Sequence, residues 1–195
     1  MTRGPRIVML GKQGSGKGTQ AERLAAHYGV THLSTGEIFR TSVGERSELG
    51  LAAKEYMDRG ELVPDDIVVR IVEEFFERHD TAAKGFFLDG FPRTHQQAVE
   101  LRRILDGTGT SLDLVIEIEV PDSVVLERMV ERGREDDTAA AMKRRLELYR
   151  RETEPLAEFY GEQNLLVRVD GTGEVDDITK RMITVIDGHF DDSTP

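Results

Sequence analysis

Apolar residues fall along this chain in short strand-like runs separated by longer stretches of helical period. Arg6-Ile7-Val8-Met9-Leu10 is a β-rich run that stops at a glycine. From Lys17 to His27 the spacing becomes helical, with Leu24 and Tyr28 four residues apart on one face. A weaker strand is predicted at His32-Leu33. Helices follow over Gly36–Val43, Glu48–Arg59 and Pro64–Arg78, Pro64 suiting a first helical position. Gly85–Asp89 predicts a third strand and Thr94–Asp106 a helix. Leu114–Val120 predicts a fourth strand, with Leu114, Ile116, Ile118 and Val120 on one face and Glu117 and Glu119 on the other. Helices over Asp122–Arg132 and Ala139–Tyr160, a strand at Leu165–Asp170 and a helix over Val175–His189 complete the pattern. Residues 191–195 are expected to fray.

Strands alternating with helices predict an α/β fold: a three-layer α/β/α sandwich around a five-stranded parallel sheet. Ligands in such folds bind beyond the carboxyl ends of the strands. Gly11, Asp89 and Gly171 should lie there. Three helices separate the second and third strands, so that segment can stand off the sheet as a flap. The chain shows no internal repeat and no low-complexity linker.

Composition narrows the function classes. The 195 residues are 38% hydrophobic and 32% charged, which suits one globular domain over 1–195. The absence of cysteine removes disulfides and thiolate zinc sites. No apolar run approaches the roughly 20 residues of a membrane span, and Met1–Pro5 enters a strand without a leader-like core, so a cytoplasmic location is expected. A net charge of −11 weighs against nucleic-acid polymers but not against nucleotides, which need only a local group of cations. His27, His32, His79, His95 and His189 show no metal-ligand spacing and are expected to be structural or solvated.

Gly11-Lys12-Gln13-Gly14-Ser15-Gly16-Lys17-Gly18-Thr19 follows a strand and opens a helix. Glycines let the backbone curl until several N–H groups face one anion, and the helix N-terminus adds partial positive charge. Lys17 can reach β and γ phosphates, and Thr19 is a candidate near Mg²⁺. A plain glycine-rich turn is the alternative. The general pattern puts Ser or Thr directly after the lysine, whereas Gly18 intervenes here.

Gly16-Lys17-Gly18-Thr19-Gln20 resembles the loop of the nucleoside monophosphate kinases, adenylate kinases above all. The likeness extends through Leu33–Arg40 (LSTGEIFR), Gly60–Asp65 (GELVPD), Leu88–Thr94 (LDGFPRT) and Arg132–Asp137 (RGREDD), in the family's order and spacing from about Arg6 to the last helix. The resemblance implies a P-loop kinase domain with a helical AMP-binding flap at about 34–63 and a short lid at about 128–138. It implies that Gly14, Ser15, Gly16, Lys17, Gly18, Thr19, Arg128, Arg132 and Gly173 bind ATP. For AMP it implies Thr35, Arg40, Met57, Glu61, Leu62, Val63, Gly90, Phe91, Pro92, Arg93, Gln97, Arg134 and Arg145. Lys17, Arg93, Arg134 and Arg145 would be catalytic, and Asp89 with Thr19 would hold Mg²⁺, the implied cofactor, through water. Arg144 would be an exposed neighbour.

Local structure offers competing accounts of several of these residues. Ser34 and Glu37 form a capping-box pattern, as do Thr94 and Gln97. Leu62, Val63 and Met57 can be core. Arg93 can be a solvated turn residue. The lid arginines can pair with Glu127, Glu131, Asp136 and Asp137 on a helix surface. Asp136 and Asp137 would otherwise start the long helix and hold the lid arginines.

The resemblance implies reversible phosphoryl transfer from MgATP to AMP, giving two ADP, by a monomer. A UMP/CMP kinase on the same scaffold is the nearest rival; there the position of Thr35 is typically alanine and that of Gln97 asparagine. A non-catalytic nucleotide sensor is the rival from another class.

Overall fold

A computed structural model describes residues 3–78 and 81–192. His79 and the end of the expected frayed tail, residues 193–195, lie outside the described residues. Five parallel strands run in the order β2-β3-β1-β4-β5: β1 (Arg6–Leu10), β2 (Thr31–Ser34), β3 (Phe86–Asp89), β4 (Leu114–Glu119) and β5 (Leu166–Asp170). The central strand β1 is buried along its whole length. Val8 pairs with Leu88 on one side and Val115 on the other.

Side-chain alternation splits the core into two layers. Val8, Leu10, Leu33, Leu88 and Val115 face one layer; Ile7, Met9, Phe87, Leu114, Ile116 and Ile118 face the other. The expected pattern in β4 holds, with one addition. Glu117 is 7% exposed and accepts a hydrogen bond from Tyr149 Oη at 3.0 Å, and Arg168 Nε lies 3.1 Å away. A carboxylate so far from water needs such partners.

The helices on the second layer include α1 (Lys17–Tyr28), α7 (Asp122–Arg132) and α10 (Val175–Asp192). The first layer takes α4 (Asp65–Arg78), α6 (His95–Gly107) and α9 (Leu156–Gly161). Between β2 and α4 stand α2 (Thr35–Gly44) and α3 (Glu48–Arg59), each capped by a serine: Ser34 accepts from Glu37 N, and Ser47 from Gly50 N.

The structure departs from the expected pattern at three places. The segment between β2 and β3 holds a further short helix, α5 (Thr81–Lys84). Within that segment the helices do not stand off the core: Val68, Val69, Val72 and Phe76 of α4 are buried in the first layer, together with Phe39 of α2 and Ala53 of α3. The helix expected over Ala139–Tyr160 is three pieces: α8 (Ala139–Leu148), a π-helical stretch over Tyr149–Thr153, and α9. Pro155 lacks the N–H that a continuous helix would use.

Candidate active site

The strand ends converge on a cavity of about 750 Å³. Its floor is the loop from Gly11 to Gly16, in which Gly11, Gly14 and Gly16 all have positive φ. α1 opens directly behind it, so the helix N-terminus faces the cavity. The hydroxyl of Ser15 is buried and meets no partner among the described residues. An oxygen of a bound anion is the kind of partner it lacks. Lys17 Nζ donates to the carbonyls of Gly11 (2.6 Å) and Lys12 (2.8 Å). Burial pushes its ammonium down to about 8; Asp89 pulls it back up, while Arg93 and Arg132 push it further down.

Gly18 has a spatial explanation. A Cβ there would come within 3.2 Å of Asp89 Oδ2. The missing side chain lets the β3 carboxylate sit beside the start of α1, where the pattern elsewhere has a hydroxyl.

Two arginines on α7 and one on α8 reach the same space. Arg128 donates to Ser15 O (3.3 Å) and Gly171 O (3.0 Å), clamping the phosphate loop to the turn after β5. Arg132 grips Asp137 through two hydrogen bonds of 2.6 and 2.9 Å. Arg145 donates to Asp137 (2.6 Å), to Asp136, and to the flap carbonyl Met57 O (3.1 Å). Asp137, with a side chain only 2% exposed, thus joins the two arginines. Burial alone would raise its pKa, but the Arg132 hydrogen bonds and the charges of Arg132, Arg145 and Arg134 hold it below its ordinary value. Arg134 lies in the short turn between α7 and α8; among the described residues, none accepts a hydrogen bond from it. Burial, then Arg132 and Arg40, lower its pKa. Arg144 is 40% exposed, 3.9 Å from Glu147 and outside the cavity.

On the flap side, Thr35, Arg40, Met57, Glu61, Leu62 and Val63 line the cavity, joined by Gly90, Pro92, Arg93 and Gln97 from the turn after β3. Thr35 Oγ1 donates to Gly90 O at 3.0 Å. Arg40 is half-buried and, like Arg134, gives no hydrogen bond to a described residue; burial lowers its pKa most. Glu61 lies 3.2 Å from Arg59 Nε. Arg93 Nε donates to Gly90 O (2.8 Å), and burial lowers its pKa. Phe91 is the exception among the expected residues. It is fully buried in the core of the first layer and does not line the cavity.

Gln97 takes part in the cap and faces the cavity. Its backbone N–H donates to Thr94 Oγ1 at 3.2 Å, and its side-chain oxygen accepts from Arg93 N at 2.7 Å. Two contributors were not foreseen. Asp65, at the start of α4, accepts from Gln97 Nε2 and Thr94 Oγ1, each at 2.7 Å. In the sequence it looks like an ordinary acidic first-turn residue. Thr153, on the π-helical stretch, donates to Arg93 O at 2.8 Å. No periodicity signals a π-turn, so this link was illegible.

The acidic inventory at the strand ends suits a metal held mainly by phosphate. Asp89 lines the cavity at the end of β3, 3.3 Å from Ser34 Oγ, and Thr19 sits exposed at the rim. Among the described residues, no three metal-ligating side chains cluster. Asp89, beside the start of α1 and Lys17, is a carboxylate of the kind that suits magnesium, which keeps several waters and takes few protein ligands.

The family model described as adenylate kinase matches residues 9–165. The chain is 46% identical over 181 residues to the adenylate kinase of Nocardia farcinica, covering 93% of this chain and 98% of that one. It is 48% identical over 178 residues to that of Corynebacterium aurimucosum, covering 91% and 97%. Over 210 aligned positions it is 40% identical to that of Methanosarcina barkeri, covering 92% and 97%.

Proposed function

The chain belongs to the adenylate kinase family and is a nucleoside monophosphate kinase, and we propose that ATP lies on the phosphate loop under the lid arginines while AMP lies under the flap. The reaction is the reversible transfer of the terminal phosphoryl group of ATP to AMP, giving two ADP. The UMP/CMP kinase and silent-sensor alternatives are not favoured, since relatives matched over nearly their full length are named adenylate kinases.

The proposed division of labour follows from charge and position. An AMP phosphate oxygen attacks the γ phosphorus in line, and the β–γ bridging oxygen leaves with ADP. The nucleophile is already anionic, so no strong general base is required. Alignment and cationic stabilisation then supply the catalysis. Lys17 takes the β and γ oxygens. Arg93, Arg134 and Arg145 gather around the transferring group. Arg128, Arg132 and Gly173 border the rest of ATP. Thr35, Arg40, Gln97 and the Met57–Val63 stretch hold AMP. Magnesium, when bound, neutralises β and γ charge; Asp89, with Thr19 at the rim, is suited to orient its waters.

One chain, 1–195, forms a single domain with two closing parts, the flap at about 34–63 and the lid at about 128–138. Closure keeps water from taking the phosphoryl group. We take the enzyme to act as a cytoplasmic monomer, without a nucleic-acid polymer as partner; among the described residues, no helix is long and apolar enough to cross a membrane.

The observation that carries this proposal is the meeting, in one cavity, of Lys17 from the loop and Arg40, Arg93, Arg134 and Arg145 from four other segments. A coupled assay offering AMP, GMP, UMP or CMP with MgATP tests it. AMP should be the strongly preferred acceptor. Preference for a pyrimidine monophosphate, or no turnover with any of the four, would overturn it.

A further inference from the structure

We propose that Asp65 is a positioning residue for base selection: it locks the Gln97 amide in the one orientation that accepts a 6-aminopurine and rejects a 6-oxopurine. The inference rests on the preceding proposal that Gln97 meets the base of AMP.

The side-chain amide of Gln97 is held at both ends. Its oxygen accepts from the backbone N–H of Arg93, and its nitrogen donates to Asp65 Oδ1, both at 2.7 Å. A backbone N–H can only donate, and a carboxylate can only accept. Rotating the amide by half a turn would set NH₂ against N–H and C=O against carboxylate. The two ends of glutamine are thereby distinguished by their partners and not by their shape. Asp65 is itself held, since its second oxygen accepts from Thr94 Oγ1 at 2.7 Å and Thr94 caps α6. Gln97 is 1% exposed yet lines the cavity, so any contact it makes with a ligand is desolvated.

These bonds leave the amide one unused N–H and one unused oxygen lone pair. Adenine offers a donor at its exocyclic N6 and an acceptor at ring N1, or N7 on the other edge. A 6-oxopurine reverses the Watson–Crick pair: its exocyclic oxygen accepts and its N1–H donates. With the base held in one pose, a locked amide matches the first and opposes the second. A freely turning amide would serve either. Asp65 begins α4, whose Val68, Val72 and Phe76 are packed into the core, so the lock is anchored on a buried helix. Buried donors and acceptors left facing their own kind discriminate strongly.

The test compares kcat/KM for AMP with that for inosine monophosphate, which differs at the 6-oxo group and N1–H. The full-length parent should favour AMP by at least ~100-fold, given the cost of mispaired buried polar groups. Asp65→Asn keeps the size of the side chain but lets it donate as well as accept. That ratio should then fall by about 10-fold, since half the lock is gone. Asp65→Ser is made alongside, and melting curves identify which variants are folded. A merely structural role lowers both substrates together and leaves the ratio alone. A fall of more than about threefold in a folded variant supports the lock, since it exceeds proportional loss. A smaller change overturns it. A parent that uses inosine monophosphate within about tenfold of AMP overturns it without any variant. A parent inert toward AMP removes the functional proposal and this inference together, whereas an AMP-active parent with unmoved variant ratios removes only the inference.

Discussion

Lys17 illustrates how a single residue couples binding to pH. Its ordinary value of 10.5 drops to about 8 because burial costs more than Asp89 returns, with Arg93 and Arg132 adding to the fall. The folded pKa lies below the unfolded one. The unfolded chain therefore binds more protons between about 8 and 10.5, and the Lys17 contribution to stability rises with pH across that window. A bound phosphate favours the ammonium, so nucleotide binding above about pH 8 takes up a proton. MgATP affinity measured by calorimetry should weaken from pH 7 to pH 9, and the trend should vanish in Lys17→Met. A flat profile in the parent would show that this ammonium does not meet the phosphates. At Arg93, whose guanidinium is fixed by Gly90 O and whose carbonyl is fixed by Thr153, substitution by alanine should lower kcat by at least roughly 100-fold. The melting temperature should move little. A folded Arg93→Ala enzyme with near-parent turnover would contradict its role. Gln97→Ala should chiefly raise the KM for AMP. An unchanged KM with a lowered melting point would leave its side chain only the structural bonds to Arg93 N and Asp65.

Among the elements, α3 and α8 depend on one close approach. Gly60 ends α3 at φ +70°, and a Cβ there would lie 2.6 Å from Ala141 O at the start of α8. Glycine thus allows the end of α3 to dock on α8, next to the Arg145 hydrogen bond to Met57 O. Gly60→Ala should cost on the order of 1–2 kcal/mol in backbone strain alone. If docking closes the AMP site, the KM for AMP should rise roughly tenfold while that for ATP stays near parent. Steady-state kinetics with each substrate varied will decide this; equal shifts in both would argue against a flap-specific effect. Docking was not legible in sequence, because Gly60 reads equally well as an ordinary helix C-cap. The strand–loop–helix at Gly11–Thr19 was legible, since its chemistry depends on residues adjacent in the chain. The division of Ala139–Tyr160 was less so: Pro155 signals an interruption, but the π-turn that carries Thr153 to Arg93 O has no local mark. Burial of α4 depends on the tertiary partners of Val68, Val72 and Phe76, whereas the spacing of those residues reports only a face.

For the molecule as a whole, a chain of net charge −11 gathers its working cations where five parallel strands end. The sheet order puts β1 at the centre, so the phosphate loop issues from the middle, with the Asp89–Arg93 turn after β3 on one flank. The Gly171–Gly173 turn after β5 lies on the other side, tied to the loop by Arg128. This arrangement was foreseeable from the alternation of strands and helices, because chirality and crossover rules leave few topologies. The arginine partners were not: sequence spacing could not decide whether Arg132 and Arg145 share Asp137 or face solvent. Titration calorimetry of the parent with two adenosines bridged by a chain of five phosphates tests the shared cavity most directly. One ligand should bind per chain, at least about 100-fold more tightly than ATP or AMP alone, since one molecule then fills both halves. Two ligands per chain, or an affinity no better than that of ATP, would contradict it.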